Sequence, residues 1–179
     1  QKLKDHPGEI WHTYGMTETI SHVAMRRVNG SDNDVFRALP GVSFQVDQRG
    51  CLVINAPDIG VENLLTNDTV ELVDTTSFRW LGRFDNVVNS GGIKLHPEAI
   101  ESKIGEWGQP FFLAGVPDDA LGEKLIMVVE SEQPVLKSQL KSLFKGFAPY
   151  EVPKEIRTVS TFEYTANGKL NRPATLLKI

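Results

Sequence analysis

The sequence predicts an α+β fold: a small antiparallel β subdomain, then a compact α+β domain with a three-stranded sheet and helices. Three observations carry this. Short stretches of alternating apolar and polar residues, broken by turn residues, fill the first half. Strand-like and helix-like stretches alternate in the second half. The character of the chain changes near Gly82, which places the boundary close to Asp85, with domains expected at 1–84 and 85–179.

In the first half, residues 9–14 read as a short strand entering a polar loop. "FRALPGVSFQVDQRGCLVINAPDI" alternates around "DQRG", a hairpin signature, and "VELVDT" and "SFRWLGR" are further β segments. After the break, Gly91-Gly92 makes a hairpin between "NVVN" and "IKLH". A helix follows, opened by Pro97 with Glu98 and Glu101 near the positive end of its dipole. Ala99, Ile100, Ile104 and Trp107 share its apolar face. "PFFLAGVP" and "KLIMVVES" read as strands joined by "DDALGE", and "VLKSQLKSLFKGF" as an amphipathic helix using Leu136, Leu140, Leu143, Phe144 and Phe147. "EIRTVSTF" is a third strand, "EYTANGKLNR" a loop and "PATLLKI" a short terminal helix.

Composition narrows the function. With 179 residues, 40% of them hydrophobic and 23% charged, the chain can bury a core, and neither disorder nor a fibrous repeat is indicated. The net charge of -4, with no basic run longer than Arg26-Arg27, disfavours a nucleic-acid partner. Residues 1–91 hold 8 basic and 12 acidic groups and residues 92–179 hold 11 of each, so a phosphate ligand must be held by local groups. The single Cys51 makes no internal disulfide, which fits a reducing compartment. No apolar run reaches the ~20 residues of a membrane span and no signal peptide is visible, so a cytoplasmic location is expected. The opening "QKLKDHPGEIWHTYG" has no initiator Met, and a fragment is expected.

Four stretches could carry chemistry. In "YGMTE", Gly15 lets the backbone approach a ligand closely, Met16 beside it is counted with the nucleotide-binding residues, and Tyr14 offers a flat face for a base. Thr17 can donate to a phosphate oxygen, and Glu18 is a hard oxygen ligand for Mg²⁺. The same residues suit an ordinary turn, and the two readings stand level. Asp68 in "LTND" could accept both hydroxyls of a ribose or simply occupy a turn. Arg83, Asp85 and Gly91-Gly92 could serve a ligand, or form a linker followed by a hairpin. Asn167-Gly168 presents Lys169 at a loop tip, where a Lys is usually just solvated.

Together, in this order, the four closely resemble the second half of the acyl-adenylate-forming enzymes, which include acyl-CoA synthetases, peptide-synthetase adenylation domains and luciferases. Tyr14 to Glu18 matches the family's Tyr-Gly-x-Thr-Glu, Asp68 the Asp of Thr-Gly-Asp, Arg83 and Asp85 its Gly-Arg-x-Asp hinge, and Gly168-Lys169 its catalytic Gly-Lys. The resemblance spans Trp11 to Arg172, and within the family it is strongest to the o-succinylbenzoate:CoA ligases of menaquinone biosynthesis. It implies that residues 1–84 are the end of a large AMP-binding domain and 85–179 a mobile lid.

The reaction it implies uses ATP, Mg²⁺, coenzyme A and a small carboxylate: an acyl-adenylate forms with loss of pyrophosphate, and the CoA thiol then takes the acyl group. Lys169 would stabilise the first transition state, with Thr17 on phosphate, Glu18 on the metal, Tyr14 beside adenine, and Asp68 with Arg83 on ribose. Rotation about Asp85 would bring Gly91-Gly92 to the site for the second step. Ser21 and His22 could touch the acyl group, His12 is read as supporting the loop, and Lys94 as lining the hairpin rather than binding a CoA phosphate.

Two departures stand out. Asn67 replaces the Gly of Thr-Gly-Asp, where its tolerance of left-handed backbone would help. Glu163 replaces a common Pro, which predicts a less rigid catalytic loop. The family's upstream phosphate loop has no counterpart here, so this piece alone is expected to be inactive. With no carrier domain after Lys169, a free-standing ligase is expected rather than a peptide-synthetase module. The competing class is a binding module on the same fold.

Overall fold

The computed structural model describes residues 6–29, 34–140 and 142–179, and divides into two units, Gln1–Asp85 and Asn86–Ile179. The opening five residues, and Lys141 within the expected amphipathic helix, lie outside the described residues.

The first unit is a seven-stranded antiparallel sheet. Its strands are β1 (Trp11–Gly15), β2 (His22–Arg27), β3 (Val35–Ala38), β4 (Ser43–Val46), β5 (Cys51–Ala56), β6 (Val61–Asp74) and β7 (Ser77–Arg83). Their spatial order is β1-β2-β3-β7-β6-β5-β4. Alternation places Phe36, Phe44, Leu52, Ile54 and Phe78 on one buried face. Phe36 stacks on Phe78 at 5.4 Å, and Phe44 meets Phe78 edge-on at 4.9 Å.

The "DQRG" turn forms between β4 and β5 because Asp47 accepts the backbone N–H groups of Arg49 and Cys51, at 2.8 and 2.9 Å, while Gly50 takes φ +82°. The first strand was legible, but its partner β2, rich in polar residues, was not. The expected "VELVDT" strand is the end of a longer β6 that also contains Thr66, Asn67 and Asp68. What reads in sequence as a turn is an irregularity within a strand: pairing with β7 shifts register between Thr69 and Val70.

The second unit contains β8 (Val88–Ser90), β9 (Ile93–Leu95), α1 (Pro97–Ile104), β10 (Phe111–Asp118), β11 (Gly122–Glu130), α2 (Lys137–Leu140), β12 (Glu155–Val159) and α3 (Arg172–Leu176). β10 pairs antiparallel with β11 along its whole length, and β12 lies parallel to β11. The three expected strands are present, and the β8–β9 hairpin joins them through Ser90 and Gly122, so the sheet has five strands rather than three.

β11 is covered on both faces. Leu125, Met127 and Val129 pack with Ile100, Leu140 and Phe144, while Ile126 and Val128 pack with Phe112, Val159 and Phe162. This explains its unbroken apolar run.

The helix expected across "VLKSQLKSLFKGF" is only one turn of α-helix, Lys137–Leu140. From Ser142 on the hydrogen bonds are mixed: Leu143 and Phe147 donate to carbonyls three residues back, Phe144 to the Leu140 carbonyl four back, and Gly146 takes φ +88°. Leu140 and Phe144 are nonetheless buried, whereas Leu136 is exposed. No helix among the described residues is long and apolar enough to cross a membrane.

Candidate active site

In the first unit, β1 turns back into β2 so sharply that only glycine fits at its end. A Cβ on Gly15 would lie 2.5 Å from the Ser21 carbonyl oxygen and 2.7 Å from the His22 Cα. Residues 17–19 form one 3₁₀ turn. The buried Thr19 hydroxyl accepts the Met16 N–H at 3.0 Å, and Ile20 is left at φ +62° with its side chain in solvent. The turn therefore presents Thr17 and Glu18 outward, and neither side chain has a partner among the described residues.

Ser21 and His22 follow, exposed, with Ser21 Oγ 3.2 Å from His22 Nδ1. His12 accepts from Arg26 Nε at 3.3 Å and meets Phe36 edge-on, so it packs within the sheet. Burial, and then the Arg26 charge, hold its pKa below the ordinary histidine value.

Asp68 is the centre of the site. It is 6% exposed, and both carboxylate oxygens are engaged. The Tyr14 hydroxyl donates to Oδ2 at 2.7 Å; Trp80 Nε1 and the Arg83 guanidinium approach Oδ1 at 3.2 and 3.4 Å. Pairing of Asp68 with Arg83 across β6 and β7 sets this arrangement. The Tyr14 ring meets Phe36 and Phe78 edge-on. Burial, reinforced by the Asp68 carboxylate, pushes its phenol pKa far up, so it remains a hydrogen-bond donor.

Arg49 braces the same strand, donating to the Thr66 carbonyl at 3.0 Å and Asn67 Oδ1 at 3.1 Å, with its guanidinium 5.1 Å from the Phe84 ring centroid. Asn67 in turn donates to Asp85 at 3.4 Å. Asn67 is not among the residues with positive φ, so left-handed tolerance is not what lets it stand there.

In the second unit, Gly91 and Gly92 form the β8–β9 turn at φ +59° and +83°, as a two-residue hairpin demands. A Cβ on Gly92 would meet nothing within 4 Å, so backbone conformation, rather than crowding inside this unit, requires a glycine there. Lys94 is exposed on β9.

Lys169 sits in a closed loop: Thr165 N–H donates to its carbonyl at 2.8 Å, its own N–H donates to Thr165 Oγ1 at 3.1 Å, and Gly168 turns at φ +73°. Its exposed ammonium has no partner among the described residues. Glu163, expected to loosen this loop, is held at both backbone groups: its N–H donates to Thr175 Oγ1 at 2.9 Å, and its carbonyl accepts from Asn171 at 2.8 Å.

The first unit thus brings Tyr14, Asp68 and Arg83 into one cluster, and sets Gly15, Met16, Thr17, Glu18, Ser21 and His22 on one turn. No family model matches the chain. Among curated proteins it is 33% identical over 112 residues to a pseudomonine synthase of Pseudomonas entomophila, covering 60% of this chain and 18% of that protein. It is 24% identical over 196 aligned positions to the 2-succinylbenzoate–CoA ligase of Listeria monocytogenes, covering 96% of this chain and 41% of the ligase. Among solved structures, an AMP-forming acyl-CoA synthetase-like protein of Dyadobacter fermentans is 35% identical, with a TM-score of 0.52 over 99% of this chain and 53% of that one.

Its curated relatives and structural neighbours include AMP-forming acyl-CoA ligases and synthetases. The fold is shared with the o-succinylbenzoate–CoA synthetase of Bacillus subtilis, solved with ATP and magnesium. That likeness has 19% identity and a TM-score of 0.76 over 94% of this chain and 41% of the synthetase. The chain spans less than half the length of the curated ligase relatives it matches.

Sequence reading missed Trp80, whose indole N–H approaches Asp68 Oδ1, because nothing in "SFRWLGR" marks which aromatic faces a carboxylate. It also missed Arg172, which is half-buried at the base of the Lys169 loop.

Proposed function

We propose that this chain is part of an ATP-dependent acid:CoA ligase acting on o-succinylbenzoate in menaquinone biosynthesis. The observation that carries the reading is the buried Asp68 carboxylate, oriented by Tyr14, Trp80 and Arg83, in the same unit as a turn that leaves Thr17 and Glu18 unpartnered.

A carboxylate offers about four lone-pair directions, and three donors already approach Asp68. The two longer contacts, from Trp80 and Arg83, are the ones a ribose diol would share or replace. Tyr14 lies on the adenine side, and the backbone at Gly15 and Met16 approaches the nucleotide. Thr17 donates to phosphate, and the donors are in place before reaction rather than recruited during it.

The lone exposed carboxylate of Glu18 fits Mg²⁺, which keeps most of its waters and takes one or two protein carboxylates beside phosphate oxygens. The ion would neutralise charge on the phosphates. Lys169 supplies the positive charge for the adenylation transition state, and Gly91-Gly92 serves the thiol step with Asp85 as hinge. Ser21 and His22 face the acyl group.

The test is mass-spectrometric detection of the CoA thioesters formed by the full-length protein from ATP, Mg²⁺, CoA and a panel of carboxylates. A dominant o-succinylbenzoyl-CoA peak is expected. An aryl or fatty acyl thioester instead would discard the acid and keep the ligase, and no pyrophosphate with any acid would favour a binding module.

A further inference from the structure

Arg172 lies three residues after Lys169, and its side chain is engaged on several sides. Its guanidinium makes a two-pronged ion pair with Glu101 of α1, at 2.7 and 2.8 Å, and donates to the Leu113 carbonyl at 2.7 Å. It lies 5.4 Å from the Phe112 ring centroid. Its side chain is 14% exposed and that of Glu101 is 19% exposed. Glu101 also accepts the Leu113 N–H at 2.6 Å, so one carboxylate pins both β10 and the arginine.

One turn earlier, Glu98 lies 3.7 Å from Arg172 and accepts from Asn86, the first residue after Asp85. The second oxygen of Glu98 is buried without a hydrogen-bond partner, so the cluster holds two carboxylates about one cation. A partly buried ion pair of this kind adds little net stability over apolar packing, but its two-pronged geometry fixes where the guanidinium lies.

What the cluster fixes is the Lys169 loop. Its far end is tied at Glu163, by the Asn171 and Thr175 contacts. Its near end continues through Asn171, which caps α3 by accepting the Ala174 N–H at 3.1 Å, into Arg172. Between these ends, the loop is held chiefly by its own turn.

We propose that Arg172 is the positioning residue for Lys169: clamped by Glu101 and Glu98 of α1, it fixes the base of the loop and hence the place of the ammonium. This rests on the ligase reading. A reacting group displaced by an ångström can lose about a hundredfold in rate, so a loop carrying one needs a rigid base.

The test uses the full-length protein. Arg172→Gln should lower the adenylation kcat about tenfold or more while changing the ATP and carboxylate KM values less than about twofold. Thioester formation from supplied acyl-adenylate should be unchanged. In a Lys169→Ala background, Arg172→Gln should add no further loss of adenylation, the mark of a residue acting through another. Arg172→Lys, which cannot form the two-pronged pair, should fall between.

A second readout needs no activity. Trypsin cleavage after Lys169 should quicken about tenfold in Arg172→Gln, with cleavage after Lys145 and Lys154 unchanged. The bond after Arg172 precedes Pro173 and resists trypsin, so the substitution removes no site. If Arg172→Gln fails to fold, Glu101→Gln is read the same way. Equal loss in both half-reactions, or additive loss over Lys169→Ala, would overturn the proposal. Unchanged trypsin cleavage counts against the clamp, whereas wild-type protein that releases no pyrophosphate counts against the ligase reading.

Discussion

At Asp68, three donors converge on a carboxylate that is almost wholly buried. Removing one of them shows what the site needs. Tyr14→Phe takes away the closest donor without changing the packing of the ring, and should destabilise the protein by about 1–3 kcal/mol in urea unfolding. Asp68→Asn keeps the shape but loses the charge, and should raise the KM for ATP in the full-length protein about tenfold or more. Lys169→Ala removes only an exposed ammonium, so it should cut adenylation to a small but measurable residual rate and leave the melting temperature unchanged. The chemistry-bearing residue types were legible because they occur as ordered motifs. Their supporting contacts were not, since Trp80 and Arg172 reach their partners across strands or across 71 positions of sequence.

Elements were legible where local chemistry decides them and obscure where distant packing does. Asp47 and Gly50 dictate one hairpin, Gly91-Gly92 another, and Pro97 a helix start, all within a few residues. Gly92→Ala should cost about 1–2 kcal/mol through φ alone, while Gly15→Ala should cost more, since its Cβ meets backbone that cannot step aside. The segment 135–147 shows the limit. Its apolar spacing correctly marked Leu140 and Phe144 for burial, but burial does not choose between α-helix and tighter turns.

Glu155 offers a pH test of one element pair. Arg157 beside it on β12, and Lys124 on β11, lower its pKa to about 2. The folded value lies below the unfolded one, so its contribution is present above the ordinary carboxylate range and fades as pH falls toward about 2. Wild type should thus exceed Glu155→Gln in urea midpoint at neutral pH, and the gap should close in acid.

Across the whole molecule, each unit owns its core. Phe44 and Phe78 belong to one, and Leu125 and Met127 to the other. Phe44→Ala and Leu125→Ala should therefore add in stability measurements to within about 0.5 kcal/mol, as independent sites do. Fold class was legible at this scale because turn signals and apolar runs change along the chain. The joining of the β8–β9 hairpin to the main sheet was not, since it rests on pairs about thirty residues apart: Ser90 with Gly122, Gly91 N–H with the Leu121 carbonyl, and Asn89 N–H with Glu123. Separate cores also have a consequence for descent. A damaging core substitution finds its compensating neighbours in its own core, so each half can repack its interior without the other's leave, and Asp85 and Asn86 mark where one such self-repairing piece of chain gives way to the next.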